Sequence, residues 1–230
     1  MTMTPAGKRP GLPCLLAASL VLSMGTGLQA QGPEPVGPFA ADARVAIPRF
    51  TQDVGVASAI GVDSLTMPTR GLGLVFGAHW YTVHMGRLTI GLGGELLMSR
   101  ASRTPDADDV DDDEAEGAPP VAAPTVNARF SSISPQVSLN FGSNRGWSYL
   151  TGGLGWGGFT IEPEDAAVAD ADSRPRVLNY GGGARWFAKE HLAFTLDLRF
   201  YAISAQAAAT GRPAYPSDTM MVFSGGVAFK

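Results

Sequence analysis

The sequence predicts an all-β protein, an eight-stranded antiparallel transmembrane β-barrel, and three observations carry that expectation. Strand-like segments are joined alternately by tight turns (residues 83–87, 142–146 and 188–191) and by long hydrophilic loops (102–125, 162–175 and 206–217). That alternation is how a membrane barrel is wired. Apolar residues recur with period 2 rather than 3.6. The face opposite the apolar one is rich in Gly, Ser, Thr, Asn and Gln but poor in charge, which suits an enclosed lumen and places the apolar face against lipid.

Taken in order, the first strand is expected at residues 50–62, where Val54, Val56, Ile60 and Val62 alternate with Asp53, Gly55, Ala57 and Gly61. In 71–83, Leu72, Leu74, Phe76, Ala78 and Trp80 share one face, and Val75, His79 and Tyr81 the other. In 88–100, Leu88, Ile90, Leu92, Leu96 and Met98 oppose Thr89, Glu95 and Ser99. Segment 132–141 sets Ile133, Val137, Leu139 and Phe141 against Ser134, Gln136, Ser138 and Asn140. Segment 147–161 is Gly-rich. Segment 176–187 sets Leu178, Tyr180 and Trp186 against Asn179 and Arg185. Leu192, Phe194, Leu196, Leu198 and Phe200 alternate with Thr195, Asp197, Arg199 and Tyr201, and 219–229 sets Met221, Phe223, Val227 and Phe229 against Met220 and Ser224. Bacterial single-chain barrels have even strand numbers, so the count is eight. Trp80, Phe141, Trp147, Tyr149, Trp186, Phe187 and Phe229 fall near the tight-turn ends and are expected to form an interfacial girdle.

The N-terminus reads as a secretory signal over residues 1–30, with Lys8 and Arg9 ahead of an apolar run at 12–22 and cleavage after Ala30. Cys14, the only cysteine, leaves with it. A flexible tail is expected at 31–49 and the barrel at 50–230. No later run of ~18–20 apolar residues offers a membrane helix. Removing Lys8 and Arg9 takes the basic count from 17 to 15 against 21 acids, and a net charge of about −6 argues against a nucleic-acid partner.

The segments SPQVSLNF (134–141), GWSYLTGGL (146–154), NYGGGARWF (179–187) and LAFTLDLRFY (192–201) resemble the outer-membrane β-barrel superfamily around the transmembrane domain of outer-membrane protein A. The resemblance covers roughly residues 50–230. It implies a bacterial outer-membrane location, with membrane lipid and the outer-membrane assembly machinery as partners. Members usually end in an aromatic residue; here Phe229 is followed by Lys230. No peptidoglycan-binding domain follows the barrel, so wall anchoring is not implied.

Chemistry-bearing patterns are few. Gly153, Gly155 and Gly158 fit G-x-G-x-x-G but run on as strand, where a dinucleotide site needs a helix. Crowding in a narrow lumen explains these glycines better. The acidic loop at 102–125 lacks the Gly and Glu that an EF-hand requires, so it reads as a solvated, self-repelling loop. Glu95, Arg185, Asp197 and Arg199 share the polar face, with Asp53 as a fifth candidate. An eight-stranded lumen is just wide enough for side chains to fill. The expectation is therefore an internal ion-pair network that plugs it, since unpaired buried charge is costly. His79, His84 and His191 all fall toward the tight turns, away from the leaflet where barrel lipid hydrolases work. The sequence thus points to a non-enzymatic structural or surface-interaction barrel with no cofactor, metal or catalytic residue. The alternatives are a narrow channel or transporter for ions or small hydrophobic molecules, and then an outer-leaflet lipid-modifying enzyme. The ligand or protein partner of the loops is not specified.

Overall fold

The computed structural model describes residues 34–104, 124–164, 174–209 and 212–230, and these form a closed eight-stranded barrel. The strands are β1 (Phe39–Arg49), β2 (Leu72–Met85), β3 (Leu88–Arg103), β4 (Val126–Ser143), β5 (Gly146–Pro163), β6 (Arg176–Phe187), β7 (Leu192–Ile203) and β8 (Asp218–Phe229). Each pairs antiparallel with its chain neighbour, and β1 pairs with β8 to close the wall. Closure leaves no sheet edge, as hydrocarbon requires. Tight turns follow β2, β4 and β6, and the long connections follow β1, β3, β5 and β7. The expected signal at residues 1–30 and most of the acidic loop lie outside the described residues.

The first strand is the main correction. It is not residues 50–62, and 31–49 is not all tail, because Phe39–Arg49 forms β1. Residues 50–62 fold into the first long connection instead, with helix α1 at Val54–Ala59. The misreading has a physical cause. Val56 and Ile60 are four apart, which satisfies both a period of 2 and a helical turn. Asp53 resolves the ambiguity: its carboxylate accepts the Val56 N–H at 2.8 Å and caps the helix. Gly61, at φ +75°, takes the left-handed conformation that ends it. Asp53 therefore caps a helix and does not join the lumen. Pro48 argues against a strand at 39–49, but it falls near the end of β1, where a missing N–H disrupts little.

Facing follows the period-2 pattern. The exterior carries Leu74, Phe76, Leu92, Ile133, Val137, Leu150, Phe194, Leu196 and Phe223, all exposed. So continuous an apolar surface in water would be an aggregation site, and its place is in lipid. Trp80, Phe141, Trp186 and Phe229 stand on this exterior and fit the expected girdle. Trp147 and Tyr149 do not, because they are buried inside the barrel, and half-buried Phe187 packs with them. Val137→Arg, near mid-height on β4, is expected to destabilise the barrel by about 2–4 kcal/mol in bilayers. Equilibrium unfolding from vesicles checks this; a cost below about 0.5 kcal/mol would mean that Val137 does not face hydrocarbon.

Candidate functional site: the filled lumen

The lumen is filled in three layers. The first lies at the tight-turn end. Val36, just before β1, is buried with Ala40, Tyr81, Trp147 and Tyr149, and Phe187 packs against them. Tyr81 meets Trp147 edge-on at 5.7 Å, and Trp147 stacks on Phe187 at 5.1 Å. The entering chain is tied down there: the Tyr81 N–H donates to the Pro38 carbonyl, and the His84 ring Nε2 lies 3.0 Å from the Val36 carbonyl oxygen. Lys230 lies over the Phe187 ring at 4.2 Å and donates to Asn144.

The middle layer is ionic. Arg44 Nε donates to Asp42 at 2.7 Å, its Nη1 lies 3.0 Å from Asp197, and its Nη2 pairs with Glu95. Arg199 reaches Asp197 at 2.8 Å and Glu95 at 3.0 Å. Arg185 pairs with Asp42 and donates to the Tyr81 hydroxyl at 2.6 Å. The guanidinium of Arg185 also lies 4.9 Å from the centre of the Tyr149 ring. Tyr149 donates to Asp197 at 2.7 Å and Tyr201 to Glu95 at 2.6 Å. All six charged residues are buried. Three acids face three arginines, so the layer is neutral as a unit, the condition under which buried charge is tolerated. Beside it, Gln136, Thr151, Asn179 and Ser134 form an uncharged hydrogen-bonded chain.

The third layer, at the long-loop end, is apolar. Val75, Leu97, Phe130, Phe159, Val177, Tyr201, Met220 and Val222 pack inside the wall, and Phe50, Val56, Ala57, Met67 and Tyr215 close over them from the first and last long connections. Phe130 meets Tyr201 edge-on at 5.7 Å and Phe159 at 6.4 Å. The Tyr215 hydroxyl donates to the Ile161 carbonyl and accepts its N–H, both at 3.1 Å. Burial pushes that phenol above its ordinary pKa.

The structure brings Glu95, Arg185, Asp197 and Arg199 into one cluster. The sequence reading missed Asp42 and Arg44, which sit at its centre, together with the tyrosines that complete it. Their signal was present: Asp42 and Arg44 share parity in an alternation with Val45 and Ile47 on the opposite face. Gly153 and Gly155 belong to this packing. A Cβ at Gly155 would lie 2.0 Å from the Ile133 carbonyl oxygen, and one at Gly153 would lie 2.3 Å from that of Pro135. Gly158 stands apart, with only the Ser131 hydroxyl at 3.4 Å.

The histidines do not assemble a catalytic group among the described residues. His79 is buried in the lumen with neither ring nitrogen hydrogen-bonded. His84 is held by a backbone carbonyl, and His191 is an exposed turn residue 3.8 Å from Glu190. Among the described residues no cluster of His, Cys, Asp and Glu is arranged to hold a metal.

This architecture is that of the small eight-stranded outer-membrane β-barrels. Neisserial surface protein A superposes with a TM-score of 0.52 at 10% identity, over 84% of this chain and 96% of that one. Ail of Yersinia pestis, solved with the heparin analogue sucrose octasulfate, gives 0.47 at 11% identity, over 84% and 98%. OprG of Pseudomonas aeruginosa gives 0.45 at 10% identity, over 86% and 97%. No sequence-family model and no curated protein sequence matches the chain. At such identities the likeness is one of fold.

Proposed function

We propose that this chain is an outer-membrane barrel with a closed lumen and a non-enzymatic, structural or surface-interaction role. It is exported by a cleaved signal at residues 1–30 and inserted with the help of the outer-membrane assembly machinery. Its tight turns face the periplasm and its long loops face outward, as barrels of this fold are wired. The observation that carries the reading is the filled lumen: an aromatic floor, a neutral ion layer and an apolar plug lie in series along it among the described residues. A lumen so filled supports neither a diffusion pore nor a narrow transporter. The separated histidines support a non-catalytic barrel, and the long connections are left as the surface that meets the environment.

Planar-bilayer recording of the refolded chain tests this. Folded, inserted protein is expected to be electrically silent at moderate voltage. Discrete, reproducible channels would overturn the closed-lumen reading and move transport to the front.

A further inference from the structure

Four arginines line up on the outside of the wall at the long-loop end. Arg49 of β1 bridges to Arg70, just ahead of β2. Leu72 pairs with Arg100 of β3, and Arg100 pairs with Arg129 of β4. All four are exposed, and their parity places them on the face that carries Val45, Leu74, Met98 and Ile133. Arg100 and Arg129 stand directly opposite each other across the ladder, where like charges repel. No carboxylate pairs with either among the described residues. The pair is unfavourable by itself and becomes favourable when an anion lies between the two guanidinium groups.

Height along the wall says which anion. The outward residues of β3 from Leu88 to Met98 are apolar apart from glycine. That run covers about 34 Å of strand, or about 26 Å of bilayer normal at the usual tilt, the height of a lipid-facing band. Arg100 is the next outward residue, at the headgroup level. Two adjoining hollows meet there. One, of about 770 Å³, is lined by Leu74 and Met98 below and by Arg100 and Arg129 above, with Leu72 beside Arg100 and Glu162 also in the lining. The other, of about 490 Å³, adds Arg70 and Asn127. Cationic above and apolar below is the complement of an anionic amphiphile.

We infer that this face binds an anionic phospholipid of the adjacent leaflet, one whose phosphate has no headgroup cation to balance it. Its phosphate sits between Arg100 and Arg129, with Arg70 beside them, and its acyl chain lies over Leu74 and Met98. Guanidinium forks match phosphate oxygens in pairs, which gives such a site selectivity over a zwitterionic headgroup. The inference rests on the barrel spanning a bilayer.

The test uses the refolded chain in phosphatidylcholine bilayers doped with spin-labelled phosphatidic acid or spin-labelled phosphatidylcholine of the same acyl chains. The wild type is expected to enrich phosphatidic acid at its surface on the order of tenfold, the gain of a charge-assisted hydrogen-bonded pair. Arg100→Gln with Arg129→Gln should lose that preference, whereas Arg176→Gln, on β6, should keep it. Excess inorganic phosphate should not displace the lipid. No preference in the wild type, or an unchanged preference in the double variant, overturns the inference, as does equal loss in Arg176→Gln. Full displacement by phosphate would overturn the lipid occupant in favour of a free anion. A chain that stays out of the bilayer, read separately by protease protection, overturns the membrane reading as well.

Discussion

Arg44→Met is expected to destabilise the folded barrel by about 3–5 kcal/mol, the cost of removing one partner from a buried charge group. Arg44 touches all three acids of the middle layer, Asp42, Glu95 and Asp197. Without it, three carboxylates face two arginines in a space closed at both ends. Equilibrium unfolding in urea from phospholipid vesicles reads the loss. Adding Glu95→Gln restores neutrality, and the amide oxygen still accepts from Tyr201, so the double variant should recover more than half of the lost stability. A single variant that costs less than about 1 kcal/mol, or a second substitution that adds to the damage, would show that the six charges do not act as a unit.

Phe130→Ala is expected to cost about 3–5 kcal/mol, as deletion of a fully buried aromatic does. Phe130 faces into the barrel between Phe159 and Tyr201, and it is the largest apolar side chain of the plug with almost no exposure. The ion layer below it is untouched, so stability should fall while the bilayer record stays silent. Conductance appearing in this variant would mean that the apolar plug, not the charge layer, is the seal. A loss below about 1 kcal/mol would mean that the plug collapses around the gap.

Most of the wall was legible in the sequence because strand periodicity and turn spacing are local signals. Leu72, Leu74, Phe76 against Val75, His79, Tyr81 needs no tertiary knowledge to read. Residues 39–62 were harder. Val56 and Ile60 fit two periods at once, and the capping role of Asp53 is visible only once a helix is suspected. In β1 the outward face is partly alanine, so its contrast with Asp42 and Arg44 is weak. Charge balance gave no warning either: Glu95 and Asp197 already match Arg185 and Arg199, so nothing demanded a further pair. Height along the strand alone places Trp147 and Tyr149 in the girdle, yet both are buried in the lumen. Glycines on both sides of β5 blur its parity, and parity decides whether a ring meets lipid or lumen.

The β1–β8 seam is more than a run of main-chain hydrogen bonds. Strands β2–β8 bring Glu95, Asp197, Arg185 and Arg199, and β1 brings Asp42 and Arg44, so each part is electrically balanced before the two meet. Closure exchanges partners across the cavity: Arg44 takes Glu95 of β3 and Asp197 of β7, and Arg185 of β6 takes Asp42. The first strand is thereby bolted from within to β3, β6 and β7, strands beyond the two neighbours it is stitched to. Parting the wall at this seam would separate Arg44 from Asp197 and Asp42 from Arg185 in the same event and strand their charges in a nonpolar medium. Sideways release of lipid or peptide through the seam is thus disfavoured, and a closed cylinder should stay closed for far longer than its equilibrium stability alone would suggest.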